Sequence, residues 1–341
     1  MKHEVKLDQQ ALADVLHREY GLEVAQFTYF PQGEVGINYI LTCRDGERHF
    51  LKLYPGSRLA RWSIGRLDFT LALTRALFDR GLLDRLAYPI PTRHGELKAA
   101  FQGMPLILYN YIPGENLMDR YPYSLAVLEQ AAGLIASLHN STPHLGLEVP
   151  FVDDFTAHFE AELRRELDAL GTVSSSARPG QQALRDLIFP QRQLVLGLVD
   201  EMHQLAERVR RLPLEPVICH TDANQANLIM GDSGELYLVD WEGAMLAPAE
   251  HDLFIFTGDG FDRFLWHYRR HRPGVRLYPE VFAFYFYRRN LEDLEDWLAR
   301  ILYENTTAEQ DDNDLSGILQ DCVSGWPFLP DAIERMRVQL V

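Results

Sequence analysis

The chain has 341 residues, a formal net charge of −16 and an isoelectric point near 5.2. Hydrophobic residues make up 47% of it and charged residues 24%, which is typical of a globular protein, and the length favours two lobes over one. The negative charge disfavours nucleic acid and anionic membranes as partners and favours a cationic or neutral small molecule, although acidity also serves solubility alone.

The three cysteines, Cys43, Cys219 and Cys322, are widely spaced and contain no CxxC pair. This pattern predicts a reducing, cytoplasmic location. The first twenty residues are polar and amphipathic and do not resemble a signal peptide, and no apolar run approaches the roughly 20 residues that a membrane span needs.

The first part of the chain predicts one helix followed by a mainly β segment. Asp8 can cap a helix that ends at Gly21. Alternating patterns then predict five strands, and a helical pattern falls between the third and the fourth. The predicted strands cover residues 24–30, 37–43, 48–54, 94–101 and 106–111, and the helix covers 66–80. Together they predict a small lobe built on an antiparallel sheet.

Pro113 and Gly114 break the chain, and helical patterns dominate beyond them, beginning with residues 125–139 and 155–170. Residues 171–180 are small and polar and predict a mobile loop. Two short strands are expected at 217–219 and 236–239. We therefore predict a nucleotide-binding lobe over 1–109, a hinge over 110–116, and a helical lobe over 117–341 that holds the catalytic loop and the acceptor site.

The strongest chemical signal lies between His220 and Asp240. Asp222 and Asn227 have the spacing of the protein-kinase catalytic loop HRDxxxxN, and Asp240 ends a strand where the metal-binding aspartate of the DFG motif would lie. Phosphoryl transfer needs a carboxylate for the attacking hydroxyl and oxygen ligands for magnesium. These residues could also only cap turns, but that interpretation must explain several carboxyl and amide groups in one short segment.

The segments VICHTDANQANLIM and LYLVDWEGAMLAPAEHDL resemble the aminoglycoside phosphotransferase and choline kinase-like family, with its HxDxxxxN and (I/V)DW(E/D) signatures. The resemblance extends over almost the whole chain and is strongest to spectinomycin phosphotransferases. It implies an α+β, bilobal protein-kinase-like fold, with a five-stranded antiparallel sheet in a small N-terminal lobe and a larger, mainly helical C-terminal lobe. It also implies ATP and Mg²⁺ as cofactors, Asp222 as the catalytic base, Asn227 and Asp240 as magnesium ligands, and His220 as a brace of the loop.

A kinase of this kind needs a cover for the phosphates and a lysine on the third strand. The turn with Gly33 and Gly36, followed by Asn38, and then Lys52 occur in that order and are the predicted nucleotide contacts. By themselves they describe a hairpin turn and a solvated lysine. The usual helix glutamate that orients the lysine is missing from residues 66–71, where Asp68 is the nearest substitute and Thr70 the other candidate for its position.

The predicted hinge offers Asn110, Tyr111 and Ile112 to an adenine ring through backbone groups and apolar side chains, although Pro113-Gly114 could equally be a plain linker. The carboxylates and aromatics after Asp240 could hold a polyhydroxylated cation by ion pairs and cation–π contacts. The candidate acceptor residues are Glu242, Asp259, Trp266 and Tyr287. A solvated helix with internal ion pairs explains part of this pattern as well.

These observations predict an enzyme that moves the γ-phosphate of ATP to a hydroxyl of a small cationic molecule, with spectinomycin or another aminoglycoside or aminocyclitol favoured, and hence a role in antibiotic resistance. A metabolic kinase of choline, homoserine or a sugar is the alternative within the class. A nucleotide-binding pseudokinase is the alternative from another class, because of the missing helix glutamate. The protein is expected to be a monomer or a homodimer.

Overall fold

The structure, a computed structural model, describes residues 7–33, 35–118 and 120–341. These residues form two compact units. The first contains the described residues up to 152 together with 217–247 and 255–274, and the second contains 153–216, 248–254 and 275–341. In the part of the chain that the structure describes, no helix is long and apolar enough to cross a membrane.

Most strands lie in the first 116 residues and between residues 217 and 247, and most helices lie elsewhere in the described chain. The strands are β1 Val24–Phe30, β2 Ile37–Cys43, β3 Arg48–Leu53, β4 Ala99–Phe101, β5 Met104–Asn110, β6 Gly114–Asn116, β7 Val217–Cys219, β8 Leu228–Gly231, β9 Leu236–Leu238 and β10 Met245–Ala247. The helices are α1 Gln9–Tyr20, α2 Arg58–Ile64, α3 Leu67–Asp79, α4 Leu125–Ser141, α5 Glu160–Leu170, α6 Pro179–Ile188, α7 Arg192–Val209, α8 Glu250–Leu253, α9 Phe261–His271, α10 Pro279–Ala299, α11 Ala308–Gly317 and α12 Ala332–Leu340.

The first unit begins with the predicted antiparallel sheet, whose strand order is β1-β2-β3-β5-β4. Its core is formed by the buried side chains Leu41, Leu51 and Leu108 from the sheet and by Leu12 and Leu16 from α1. These two leucines are four residues apart, so they lie on one face of the helix. The helix starts at the side-chain cap Asp8 and ends at Gly21, as the sequence predicted.

Two smaller sheets in the same unit place the catalytic motif. Strands β6, β8 and β9 form one of them, and β7 pairs with β10 in the other. The loop with Asp222 and Asn227 connects β7 to β8, and Asp240 follows β9. Both polar segments therefore leave the ends of short buried strands, which fixes their backbone positions.

The second unit is helical and is centred on α10. This helix packs against α5, α7 and α12 and buries aromatic residues such as Phe282, Phe284 and Tyr285. Large buried aromatic rings along this 21-residue helix contribute to the apolar core of the unit.

Three predicted boundaries are wrong for local reasons. The fourth strand starts at Ala99, because the Thr92 hydroxyl accepts hydrogen bonds from the backbone of His94 and Glu96 and holds a turn there. Helix α5 starts at Glu160 instead of residue 155, where Phe155 has a φ of 62°. The predicted loop over 171–180 ends earlier, since α6 already begins at Pro179.

Candidate active site

A pocket of about 610 Å³ lies in the first unit. It is lined by the sheet, by α3, by the predicted hinge and by the segments around Asn227 and Asp240. The residues of the sequence prediction that line it are Gly33, Asn38, Lys52, Asn110, Tyr111, Ile112, Asn227, Asp240 and Glu242. These predicted residues line one pocket although the first and the last of them, Gly33 and Glu242, are 209 positions apart in the sequence.

The carboxylate of Asp222 is held by two amides of its own loop. Asn227 donates through Nδ2 to Oδ2 of Asp222 at 2.9 Å and to its backbone carbonyl at 2.8 Å. Asn224 donates to the other carboxylate oxygen at 2.8 Å. Sequence reasoning missed Asn224, although its position two residues after an aspartate in a loop is a usual place for such a bond. The two amides fix the direction of the Asp222 carboxylate.

His220 connects the loop to the segment that carries Asp240. Its Nε2 lies 2.9 Å from the carbonyl of Val239, and its Nδ1 accepts from the backbone N–H of Asp222 at 3.3 Å. The imidazole is fully buried and packs edge-on against Trp241. This histidine thus keeps the Asp222 and Asp240 segments in one relative position, and Asp240 itself has the left-handed backbone conformation, with φ 68°.

Lys52 extends from β3 to two carboxylates. Its Nζ lies 2.5 Å from Oδ1 of Asp240 and 2.5 Å from Oε1 of Glu242. The hydroxyl of Tyr54 also donates to Glu242. Since Lys52 and Tyr54 are two positions apart on an extended segment, their side chains share one face, and this spacing is the signal by which Tyr54 could have been found.

The charges of this cluster depend strongly on one another. Burial alone would lower the pKa of Lys52, but the carboxylates of Asp240 and Glu242 outweigh it and raise the pKa above its ordinary value. Burial acts to raise the pKa of Asp240, yet Lys52 and the surrounding hydrogen bonds hold it well below its usual range. For Glu242, burial and then the neighbouring Asp240 raise the pKa to about 7. Asp240 is therefore an ionised carboxylate beside a charged lysine at neutral pH.

Helix α3 does not supply the partner of Lys52. Of the two residues considered for the position of the helix glutamate, Asp68 has a side chain that is 86% exposed and forms an ion pair with Lys98. Thr70 does line the pocket, but its hydroxyl lies 3.5 Å from the carbonyl of Leu67 within its own helix. Besides Asp240, which is the predicted metal ligand, the carboxyl group that contacts Lys52 is that of Glu242.

The glycine turn approaches Lys52 and Asn38 closely. A Cβ atom on Gly36 would lie 2.9 Å from Cγ of Lys52 and 2.9 Å from Oδ1 of Asn38, so no larger residue fits there without a shift. Asn38 pairs with Lys52 across β2 and β3 and donates to the carbonyl of Gln32 at 2.7 Å. Glu34, which the sequence placed in the same turn, lies outside the described residues.

The predicted hinge residues Asn110, Tyr111 and Ile112 line the pocket, but the side chain of Asn110 is hydrogen-bonded to backbone groups of the same unit. Its side chain accepts from the backbone N–H of Tyr88 at 2.7 Å and donates to the carbonyl of Leu86 at 3.3 Å. Asn110 therefore stabilises the backbone of the predicted hinge. Tyr111 and Ile112 come directly after it and also line the pocket.

Of the four predicted acceptor residues, Glu242 lines this pocket and the other three do not. Glu242 lies in the pocket against Lys52. Asp259 and Trp266 belong to the first unit but do not line this pocket, and Trp266 is 51% exposed with Arg270 over its ring. Tyr287 is buried in the second unit, where it lines a separate groove beside α7. Their roles in acceptor binding stay predictions.

The residues present fit a hard cation such as Mg²⁺. The amide nitrogen of Asn227 donates to Asp222, so the amide oxygen is the atom that Asn227 can offer to a metal ion. The side chain of Asp240 is 38% exposed in the pocket wall. Oxygen atoms of this kind are the ligands that Mg²⁺ prefers.

The loop aspartate held by amides, the strand lysine and the second aspartate occur in the order found in phosphotransferases with a protein-kinase-like fold. Residues 28–299 match the model of the phosphotransferase enzyme family, to which the chain therefore belongs. The chain is 25% identical over 307 residues to the protein StrN of Streptomyces griseus, covering 85% of this chain and 84% of StrN.

Solved structures with this fold include a spectinomycin phosphotransferase in complex with ADP and spectinomycin. It matches with a TM-score of 0.77 at 17% identity, covering 97% of this chain and 100% of that chain. Choline kinase LicA from Streptococcus pneumoniae matches with a TM-score of 0.55 at 17% identity, covering 92% and 98%. The predicted fold class, family and small-molecule phosphotransferase activity are confirmed.

Proposed function

We propose that the protein transfers the γ-phosphoryl group of ATP to a hydroxyl of a small cationic acceptor, with an aminocyclitol such as spectinomycin as the favoured one. The observation that carries this proposal is the position of the Asp222 carboxylate, which Asn227 holds at 2.9 Å while Asn227 itself lines the pocket with Lys52 and Asp240. The proposal assigns Asp222 as the base, Lys52 as the phosphate-binding cation and Asn227 and Asp240 as the metal ligands.

Asp222 accepts the proton of the acceptor hydroxyl as its oxygen attacks the γ-phosphorus, and ADP leaves from the opposite side of that phosphorus. Asn224 and Asn227 keep the carboxylate directed for this step. Lys52 binds the α- and β-phosphates, and the glycine turn brings backbone N–H groups to them. Mg²⁺ held by Asn227 and Asp240 would neutralise the phosphate charge when bound.

Three observations support a cationic acceptor in a reducing cytoplasm. The net charge of −16 attracts cations over long range. The three cysteines are free and buried, as is usual for cytoplasmic proteins. A spectinomycin phosphotransferase shares the fold over nearly the full length of both chains.

The test is ADP release with Mg-ATP across a panel of spectinomycin, other aminoglycosides, choline, homoserine and sugars. We expect one cationic aminocyclitol to stimulate release, and a stimulation confined to choline would replace it with a metabolic role. ATP binding without release for any acceptor would favour a pseudokinase, against which the intact set of Asp222, Asn227 and Asp240 argues.

A further inference from the structure

We propose that Glu242, fixed in place by Arg66, orients Lys52 and so takes the position that a helix glutamate occupies in protein kinases. This inference rests on the proposed function, since it assigns a positioning residue to the nucleotide site. It also gives Glu242 a different role from the acceptor contact that the sequence suggested.

The contacts of Glu242 are those of an orienting residue. Its carboxylate lies 2.5 Å from Nζ of Lys52 and accepts from the hydroxyl of Tyr54, and its side chain is only 12% exposed. Burial and Glu242 raise the pKa of Tyr54, which keeps this hydroxyl protonated as a donor. A buried carboxylate with a lysine on one side and a tyrosine on the other has little freedom to move toward an acceptor.

Arg66 holds the backbone of the segment that carries Glu242. Its guanidinium donates to the carbonyls of Glu242 at 2.8 Å, Gly243 at 3.1 Å and Ala244 at 2.8 Å. The same group lies 3.9 Å from the ring centre of Phe151 and 4.7 Å from that of Trp62, so it is fixed from both sides. Three hydrogen bonds from one planar cation define the direction of this segment.

Arg66 directly precedes α3, the helix that would carry the usual glutamate. The residues of α3 that line the pocket are Thr70, Leu71 and Thr74, and all of them are uncharged. The helix therefore acts on Lys52 indirectly: Arg66 at its start donates to the Glu242 backbone, and the carboxyl group of Glu242 contacts Lys52. In protein kinases the carboxyl group next to the lysine comes from a helix, whereas here it comes from the segment after Asp240.

Glu242 could instead bind the metal directly, because it is two residues from Asp240. A double-mutant cycle separates the two roles, since a residue that acts through Lys52 has no effect once Lys52 is absent. The variants are Glu242→Gln, Lys52→Met and their combination, with Asp68→Asn as a matched control that removes an exposed carboxylate near the same helix. Two quantities are measured: the dissociation constant of Mg-ATP, by calorimetry, and the Mg²⁺ concentration at which ATP binding is half-saturated.

We expect Glu242→Gln to weaken ATP binding about tenfold in the wild-type background and less than twofold in Lys52→Met, a coupling of at least about 1 kcal/mol. The Mg²⁺ half-saturation should stay unchanged, as should every value for Asp68→Asn. An equal loss in both backgrounds, or a raised Mg²⁺ requirement for Glu242→Gln, would overturn the inference. If Lys52→Met does not fold, the Mg²⁺ titration of Glu242→Gln alone decides.

The two proposals fail in different ways. Wild-type protein that binds Mg-ATP but releases no ADP with any acceptor removes the proposed function and leaves the cycle measurable. Wild-type protein that releases ADP while the cycle shows no coupling removes only the orienting role of Glu242. Wild-type protein that does not bind Mg-ATP removes both.

Discussion

Both units contain buried ionic groups, and two of these clusters, one from each unit, differ in their surroundings. In the first unit Lys52 lies between Asp240 and Glu242 in the wall of a pocket. In the second unit Arg288 donates to both oxygens of Asp153 at 2.9 and 2.8 Å.

The second cluster also contains the neutral His251, whose Nε2 lies 2.9 Å from Nη2 of Arg288. The Arg288–Asp153 pair is enclosed, whereas the first cluster has two carboxyl groups for one cation beside a cavity. A surplus of oxygen donors facing a pocket is suited to binding a further cation, and a balanced, enclosed pair is suited to holding helices together. We therefore expect substitutions in the first cluster to affect activity and substitutions in the second to affect stability.

The largest effect on activity is expected from a substitution in the first cluster, at Asp240. Asp240→Asn should reduce acceptor-dependent ADP release by about 10²–10³-fold, because a charged metal ligand is replaced by a neutral one. Asparagine tolerates the positive φ of this position, so the fold should persist. Steady-state rates at several Mg²⁺ concentrations measure the effect, and a loss below tenfold would contradict the assignment.

The opposite behaviour is expected in the second unit. Arg288→Met leaves the Asp153 carboxylate buried without its cation and should cost about 3–5 kcal/mol in the free energy of unfolding. The ATP dissociation constant of the protein that remains folded should not change. Urea unfolding measures the free energy of unfolding, and calorimetry measures the ATP dissociation constant. Arg165→Met, at a side chain that is 72% exposed, is the control and should change the free energy by less than about 0.5 kcal/mol.

His251 sharpens the comparison through pH. Burial, followed by Arg288, holds the pKa of His251 well below its ordinary value of 6.5, against the opposing effect of Asp252. Below pH 6.5 the unfolded chain therefore binds a proton that the folded chain does not, and stability falls as pH is lowered. The expected slope is up to about 1.4 kcal/mol per pH unit. Unfolding of wild type and His251→Gln between pH 5 and 8 tests this, and equal slopes would refute it.

An exposed pair should show almost no effect. Asp68→Asn breaks the ion pair with Lys98, and we expect the free energy of unfolding to change by less than about 0.5 kcal/mol, because water screens both groups. Thermal unfolding at low and high salt measures the change. A loss above 1 kcal/mol would show that surface pairs rank with the buried clusters in this protein.

The sequence predicted the parts of the fold that depend on local patterns. The five strands, the capped helix α1 and the order of Lys52, Asp222, Asn227 and Asp240 follow from alternation, turn residues and spacing. It did not predict the partners of Lys52, because Glu242 is 190 residues away and reaches the lysine only through the tertiary fold. Arg66 was missed for the same reason, since its bonds go to backbone carbonyls that leave no pattern in the side chains.

The most direct test of the central claim is the detection of phosphorylated acceptor by mass spectrometry after incubation with Mg-ATP. The acceptor is the panel member that releases most ADP, and wild type is compared with Asp222→Asn. Product in wild type and a rate lower by about 10²–10⁴-fold in Asp222→Asn, with ATP binding retained, is the predicted result. Product formed by the variant at the wild-type rate would contradict Asp222 as the base and the site built around it.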